Sequence, residues 1–249
     1  MMKKPVLIIS ALIIIFSCNK KEKTLQEKAT VPKTETLENK SDEPDEDPAY
    51  VFPKTGKKAE DFITKPDIFE IQYQADGDLN GDKLDDIVIV RKDKKNKTAP
   101  RSMLVLLQNQ DKTYRLDKIS HLAMPAEYND SDFKFYDTED VSIDKGILSI
   151  QLYGIGPSGN LFSHYKYFGK DLLLTNIETF NMGAGSHQSL NYDVMKGELF
   201  QELINTMEEE MPSTKKTFHL KPQKIKFENA SPDAVIEDTY KVTDAENQN

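Results

Sequence analysis

Cysteine occurs once in the 249 residues, at Cys18, and tryptophan not at all. One thiol cannot close an intrachain disulfide, so the fold must be held by burial, hydrogen bonds or a metal. Histidine is scarce as well. His121, His164, His187 and His219 form no HxH or HxxxH pair, so any zinc site would have to converge from separate strands. Cationic residues are outnumbered, with 33 Lys+Arg against 42 Asp+Glu and a formal net charge of −9, which argues against nucleic acid and anionic surfaces as partners. Long apolar runs are missing except for Val6 to Phe16, which falls short of the roughly 20 residues that a membrane-spanning helix needs. No segment repeats at a fixed period, which excludes a repeat propeller.

What is present begins at the N-terminus. Lys3 and Lys4 precede the apolar run, the layout of a secretory signal. The run closes on Ile15-Phe16-Ser17-Cys18, and these four residues resemble the bacterial lipobox. That resemblance implies that residues 1–17 are a signal peptide and that Cys18 becomes the mature N-terminus and carries lipid. The membrane is then a partner through the lipid on Cys18, in a bacterial cell envelope (the outer membrane if Gram-negative), with the domain facing the periplasm or the exterior. One acyl chain holds a protein only marginally, so the anchor needs more than one. Removing residues 1–17 takes two lysines and no acids, leaving 31 Lys+Arg against 42 Asp+Glu, a formal −11. From Asn19 to Pro53 the chain is nearly all Lys, Glu, Thr, Asp and Pro. This composition buries too little apolar surface to offset the entropy of ordering, so residues 18–53 are expected to be a disordered tether.

Residues 54–243 change character. Asp86–Arg91, Met103–Gln108, Tyr114–Ile119, Ile147–Tyr153, Leu161–Phe168, Leu172–Phe180 and Ser189–Met195 are short β-type runs separated by turn residues such as Asp144-Lys145-Gly146 and Gly169-Lys170-Asp171. The expected fold is mainly β, a single antiparallel sheet or sandwich domain, with a short C-terminal helix or an extra hairpin. Residues 198–209 carry both signals. Leu199, Phe200, Leu203, Ile204 and Met207 fall at helical spacing, while the preceding Met195-Lys196-Gly197-Glu198 reads as a hairpin turn and favours strand. Pro222 requires any strand in Lys215–Phe227 to lie at an edge or to break there. Residues 244–249 are polar and expected to fray.

The stretch with chemistry in it is Asp78-Leu79-Asn80-Gly81-Asp82-Lys83-Leu84-Asp85-Asp86, which runs straight into Ile87-Val88-Ile89-Val90. Oxygen-bearing side chains stand at positions one, three, five and nine, and a curled loop can turn alternate oxygens onto a hard cation that wants six to eight of them. An EF-hand is excluded because isoleucine occupies position twelve in either frame. The run resembles the calcium loops of FG-GAP and VCBS-type repeats. That resemblance implies side-chain ligands at Asp78, Asn80, Asp82 and Asp86, a backbone ligand at Leu84, and structural calcium as the cofactor. Lys83 departs from the pattern, which has glycine there. The order of segments, including Arg101-x-x-Leu104-Val105-Leu106, also resembles a set of uncharacterised bacterial exported proteins, a likeness that implies no activity.

Two other patterns look catalytic. Gly154-Ile155-Gly156-Pro157-Ser158-Gly159 satisfies GxGxxG, but a strand follows where a phosphate site needs a helix N-terminus, so it reads as a hairpin. His187 follows Gly183-Ala184-Gly185-Ser186 and reads as a loop residue. Tyr153, Tyr165, Tyr167 and Phe168 gather on neighbouring strands; they serve as core or, if exposed on one face, as a glycan or peptide platform. The preferred reading is a binding or adaptor module for a protein or glycan ligand. The alternatives are a hydrolase assembled from distant strands around Gly154–Gly159 and His187, or a purely structural envelope lipoprotein.

Overall fold

A computed structural model describes residues 51–154 and 159–247, with side chains described to Thr243. The signal segment, Cys18, nearly all of the tether and Ile155–Ser158 lie outside the described residues. Twelve strands build two antiparallel sheets, so the chain is mainly β. The smaller sheet holds β1 (Thr55–Gly56), β2 (Phe69–Gly77), β3 (Asp86–Asp93), β4 (Ser102–Gln108) and β5 (Tyr114–Ser120), in the order β1-β5-β4-β3-β2. The larger is a continuous meander of β6 (Thr138–Asp144), β7 (Ile147–Tyr153), β8 (Asn160–Phe168), β9 (Asp171–Gly183), β10 (Ser186–Asp193), β11 (Glu198–Asn205) and β12 (Ser213–His219).

The inner faces of the two sheets share one core. Val88, Val90, Met103, Val105 and Leu107 pack on the side of Leu148, Ile150, Leu152, Leu161, Tyr165, Ile177, Leu190 and Tyr192. A second cluster lies on the opposite face of the smaller sheet, where Phe52, Ala59 and Phe62 cover Ile87, Ile89, Leu104 and Leu106. Strands β3 and β4 are therefore covered on both faces, which is why they read as unbroken apolar runs rather than alternating ones. Phe52, assigned by composition to the end of the tether, is a core residue only 8 % exposed.

The larger sheet has the opposite pattern. Strand β7 alternates strictly, with Leu148, Ile150 and Leu152 buried between more exposed neighbours, so one face is core and the other open. Residues 198–205 form a strand, not a helix, paired with β10 over eight registered positions. The segment around Lys215 is the edge strand β12, which ends at His219 before Pro222 and presents Lys215 and Lys216, charges that discourage edge-to-edge pairing.

Three strands were not expected. Strand β2 carries its alternation in Phe69, Ile71, Tyr73 and Ala75 but is interrupted by a bulge between Ile71 and Tyr73. Strand β6 hides its alternation because Glu139 occupies a core-facing position. Strand β1 is only two residues long. The helix α1 (Pro232–Asn247) also corrects an expectation, since residues 244–247 belong to it. Its start is legible in hindsight, with Ser231 as N-cap and Pro232 at the first helical position. It closes over the inner face of the larger sheet: Ile236, Thr239 and Thr243 are buried, and the Tyr240 hydroxyl accepts from Asn181 Nδ2 at 2.8 Å.

Candidate functional site

The acidic loop is the connection from β2 to β3, and its own backbone wraps the side chains. Asp78 accepts the N–H of Gly81 at 2.7 Å and of Lys83 at 2.9 Å, Asn80 Oδ1 accepts from Asp82 at 2.8 Å, and Asp82 Oδ1 accepts from Leu84 at 2.9 Å. Lys83 sits at φ +69, the left-handed conformation that glycine would adopt freely and that costs an L-residue on the order of 1 kcal/mol. Lys83 thus adopts a left-handed backbone without being glycine. Asp78, Asn80 and Asp82 fit calcium, because each oxygen accepting one N–H retains a second lone pair. With the Leu84 carbonyl, they are the residues that would hold the ion. Its contribution there would be to neutralise the loop's carboxylates.

Asp86 is placed differently. It is fully buried; Oδ2 accepts the N–H of Leu79 at 3.0 Å and of Asn80 at 3.2 Å, and Oδ1 accepts that of Gln108 at 2.9 Å. This carboxylate staples the loop to the end of β4. Burial pushes its pKa up, and the three N–H donors oppose that shift without cancelling it. Among the described residues, no three Asp, Glu, His or Cys side chains converge as a metal-holding group.

Two further polar nodes went unread in the sequence, and both are structural. Arg101, just before β4, reaches into the inter-sheet core and meets Glu139 of β6 through two bonds, Nη1 to Oε2 at 2.6 Å and Nη2 to Oε1 at 3.0 Å. Both side chains are essentially inaccessible, at 1 % and 0 %. Arg101 also donates to the Pro125 carbonyl at 2.6 Å and to Gln72 Oε1 at 3.1 Å. On the other side of the smaller sheet, the Arg91 guanidinium lies 4.6 Å from the Phe52 ring centroid and 4.0 Å from that of Phe69, and donates to Ser102 Oγ. Burial, with a smaller push from Arg91, holds His121 below its ordinary pKa.

The open face of the larger sheet carries the most distinctive surface. Cross-strand register places Gln151, Phe162, Glu178, Asn191 and Phe200 in one row across five strands. Tyr153, Asn160, Phe180, Ser189 and Glu202 form the next row. A groove of about 310 Å³ runs between Phe162, Phe180 and Phe200, with Glu178 and Asn191 on its floor. Phe162 packs edge-on to Tyr153 at 4.9 Å, and Phe180 to His187 at 5.6 Å. His187 therefore lies in β10 on this face and not in a loop. Of the aromatic group noticed in the sequence, Tyr153 stands beside the groove on this face, and Phe168 shares its parity but lies away from the groove. Tyr165 is fully buried against Phe227, Tyr167 donates to Asp117 Oδ2 at 2.6 Å, and Phe168 lies exposed at the β8 end. Strands β7 and β8 pair antiparallel on either side of the GxGxxG segment, with Gly154 N–H donating to the Gly159 carbonyl at 3.0 Å; the turn expected at Ile155–Ser158 lies outside the described residues.

Beside the groove, Ser149 Oγ lies 2.9 Å from His164 Nδ1, and His164 Nε2 lies 3.9 Å from Glu178 Oε1. Burial lowers the His164 pKa, and Glu178 opposes this, so the imidazole is neutral at neutral pH. The set has the composition of a nucleophile, base and orienter, but Ser149 is mid-strand between β6 and β8. Backbone N–H groups there are spent on the ladder, which leaves no pair of donors for an oxyanion. Compared with family models, curated proteins and solved structures, the chain finds no match.

Proposed function

We propose that this chain is a lipid-anchored module of a bacterial envelope that binds its ligand on the open face of the seven-stranded sheet, with the acidic loop as a calcium-supported brace between β2 and β3. The observation that carries the reading is the row of Phe162, Glu178, Asn191 and Phe200. Three phenylalanines line a concave groove on a surface that packing alone would leave polar. Anchorage rests on the lipobox-like Ile15-Phe16-Ser17-Cys18, and the lysine- and acid-rich residues 19–53 would let the domain stand off the membrane.

Catalysis is the second reading, favoured by the Ser149–His164–Glu178 set, and the missing oxyanion donors weigh against it.

A photo-cross-linking residue at position 191, in full-length protein in its native envelope, is expected to capture a discrete partner, protein or glycan. The same residue at position 94, just past the end of β3, is not. No adduct at 191 beyond that background would defeat the binding face. Cys18→Ser is expected to move the protein from the membrane to the soluble fraction, and unchanged fractionation would rule out the lipid anchor.

A further inference from the structure

We propose that the groove between Phe162 and Phe200 takes a neutral oligosaccharide. This deepens the binding reading above and rests on it. The row spans four adjacent strands, β8 to β11, and at about 4.8 Å per strand its two end rings stand roughly 14 Å apart. That distance suits a ligand with more than one ring. A pyranose offers an apolar C–H face to each phenylalanine and a rim of hydroxyls to the residues between them.

The residues between are matched to hydroxyls. Asn176 Nδ2 donates to Asn191 Oδ1 at 2.9 Å, which takes one acceptor site of that amide and orients its N–H groups for a ligand. Glu178 next to it is an acceptor only when ionised. A donor and an acceptor side by side between two aromatic surfaces suit hydroxyl groups, each of which both donates and accepts.

Charge narrows the choice further. Glu178 is the single ionisable side chain among the groove's lining residues, and burial holds His164, 3.9 Å from it, below its ordinary pKa. The groove is negative, so it repels uronic acids, sulfated sugars and phosphates and accepts neutral glycans. A second copy of the chain fits poorly in a two-fold contact centred on Glu178, which would set that carboxylate against its own counterpart. A peptide added as a strand fits poorly as well, because the row lies inside the sheet, where backbone groups are already paired, and not at the β6 or β12 edge.

Full-length protein in detergent micelles is titrated by calorimetry with hexasaccharides of glucose (β-1,4 and α-1,4), N-acetylglucosamine, xylose and mannose. Heparin and polygalacturonate serve as anionic probes. At least one neutral hexasaccharide is expected to bind, the anionic probes are not, and Phe162→Ala and Phe200→Ala are each expected to weaken binding ten-fold or more. Phe200 is 38 % exposed, so its truncation leaves the core intact; Glu178→Lys, which reverses the groove's charge, supplies an independent variant expected to abolish binding. Heats that the Phe162, Phe200 and Glu178 variants leave unchanged overturn the proposal, as does preferential binding of the anionic probes. Silence of every neutral hexasaccharide overturns it too. If residue 191 then still cross-links a protein, the binding face stands and only its ligand was wrong. If residue 191 captures nothing, both readings fall.

Discussion

Glu139→Gln is expected to destabilise the domain by about 3–5 kcal/mol, read as a loss of unfolding free energy in urea followed by far-UV circular dichroism, since the chain has no tryptophan. The reason is the full burial of both partners. Removing the carboxylate's charge leaves the Arg101 guanidinium in the inter-sheet core with the Gln72 and Pro125 oxygens and one neutral amide to satisfy it. Arg101→Met is expected to cost a similar amount by stranding Glu139. The double variant Arg101→Met, Glu139→Leu is expected to recover most of the loss, because an apolar pair of similar volume needs no desolvation of charge. This coupling is the distinctive result. Single variants within about 1 kcal/mol of the wild type would mean that the pair is hydrated, contrary to its burial.

Asp86→Ala should come next in size. It strands the N–H groups of Leu79, Asn80 and Gln108, and at about 1–3 kcal/mol for each buried donor left unpaired the loss is on the order of 3 kcal/mol or more. The pH dependence has a definite sign. Burial raises the folded-state pKa of Asp86 above its unfolded value, so the folded state takes up the proton first, and the group's contribution to stability increases on acidification and falls as pH rises through the folded pKa. The gap between wild type and Asp86→Ala is therefore expected to widen from neutral pH down to the ordinary carboxylate range. A constant gap would show that the carboxylate is solvated. In the same melts, calcium is expected to raise the transition of the wild type and not that of Asp82→Ala, because Asp82 is one of the loop's three fitted side-chain ligands. A wild type indifferent to calcium would leave the loop as a hydrogen-bonded turn only.

These two sites differ in how far the sequence revealed them. Asp86 is singled out by its place at the start of β3, where it can tie the loop to the sheet, but its partners are not legible locally: β4 brings the Gln108 N–H to one of its oxygens and the loop brings two more donors to the other. Glu139 is not singled out, because an acid next to Thr138 and Asp140 looks like part of a solvated turn until Arg101 from the other sheet is beside it. The same acid concealed β6, since a charge at a core-facing position breaks the alternation that marks a half-buried strand. A short C-terminal helix is expected and present, but the place of α1 is hidden for a related reason: Thr239 and Thr243 are buried, so its inward stripe is not uniformly apolar.

The aromatic face shows the limit most plainly. In Leu161-Phe162-Ser163-His164-Tyr165, both parities contain apolar residues, so alternation alone does not say whether Phe162 or Tyr165 turns inward. Register with β9 decides it, because a slip of one residue would exchange the two faces. By itself the sequence determined the β character, most strand positions and the turn-rich loop that leads into β3, all of which follow from local periodicity and turn chemistry. Tertiary structure alone decided the division into two sheets, the Arg101–Glu139 pair and the alignment of Phe162, Glu178, Asn191 and Phe200. Each of these depends on which strands lie side by side, a matter of long-range pairing that no local window of residues contains.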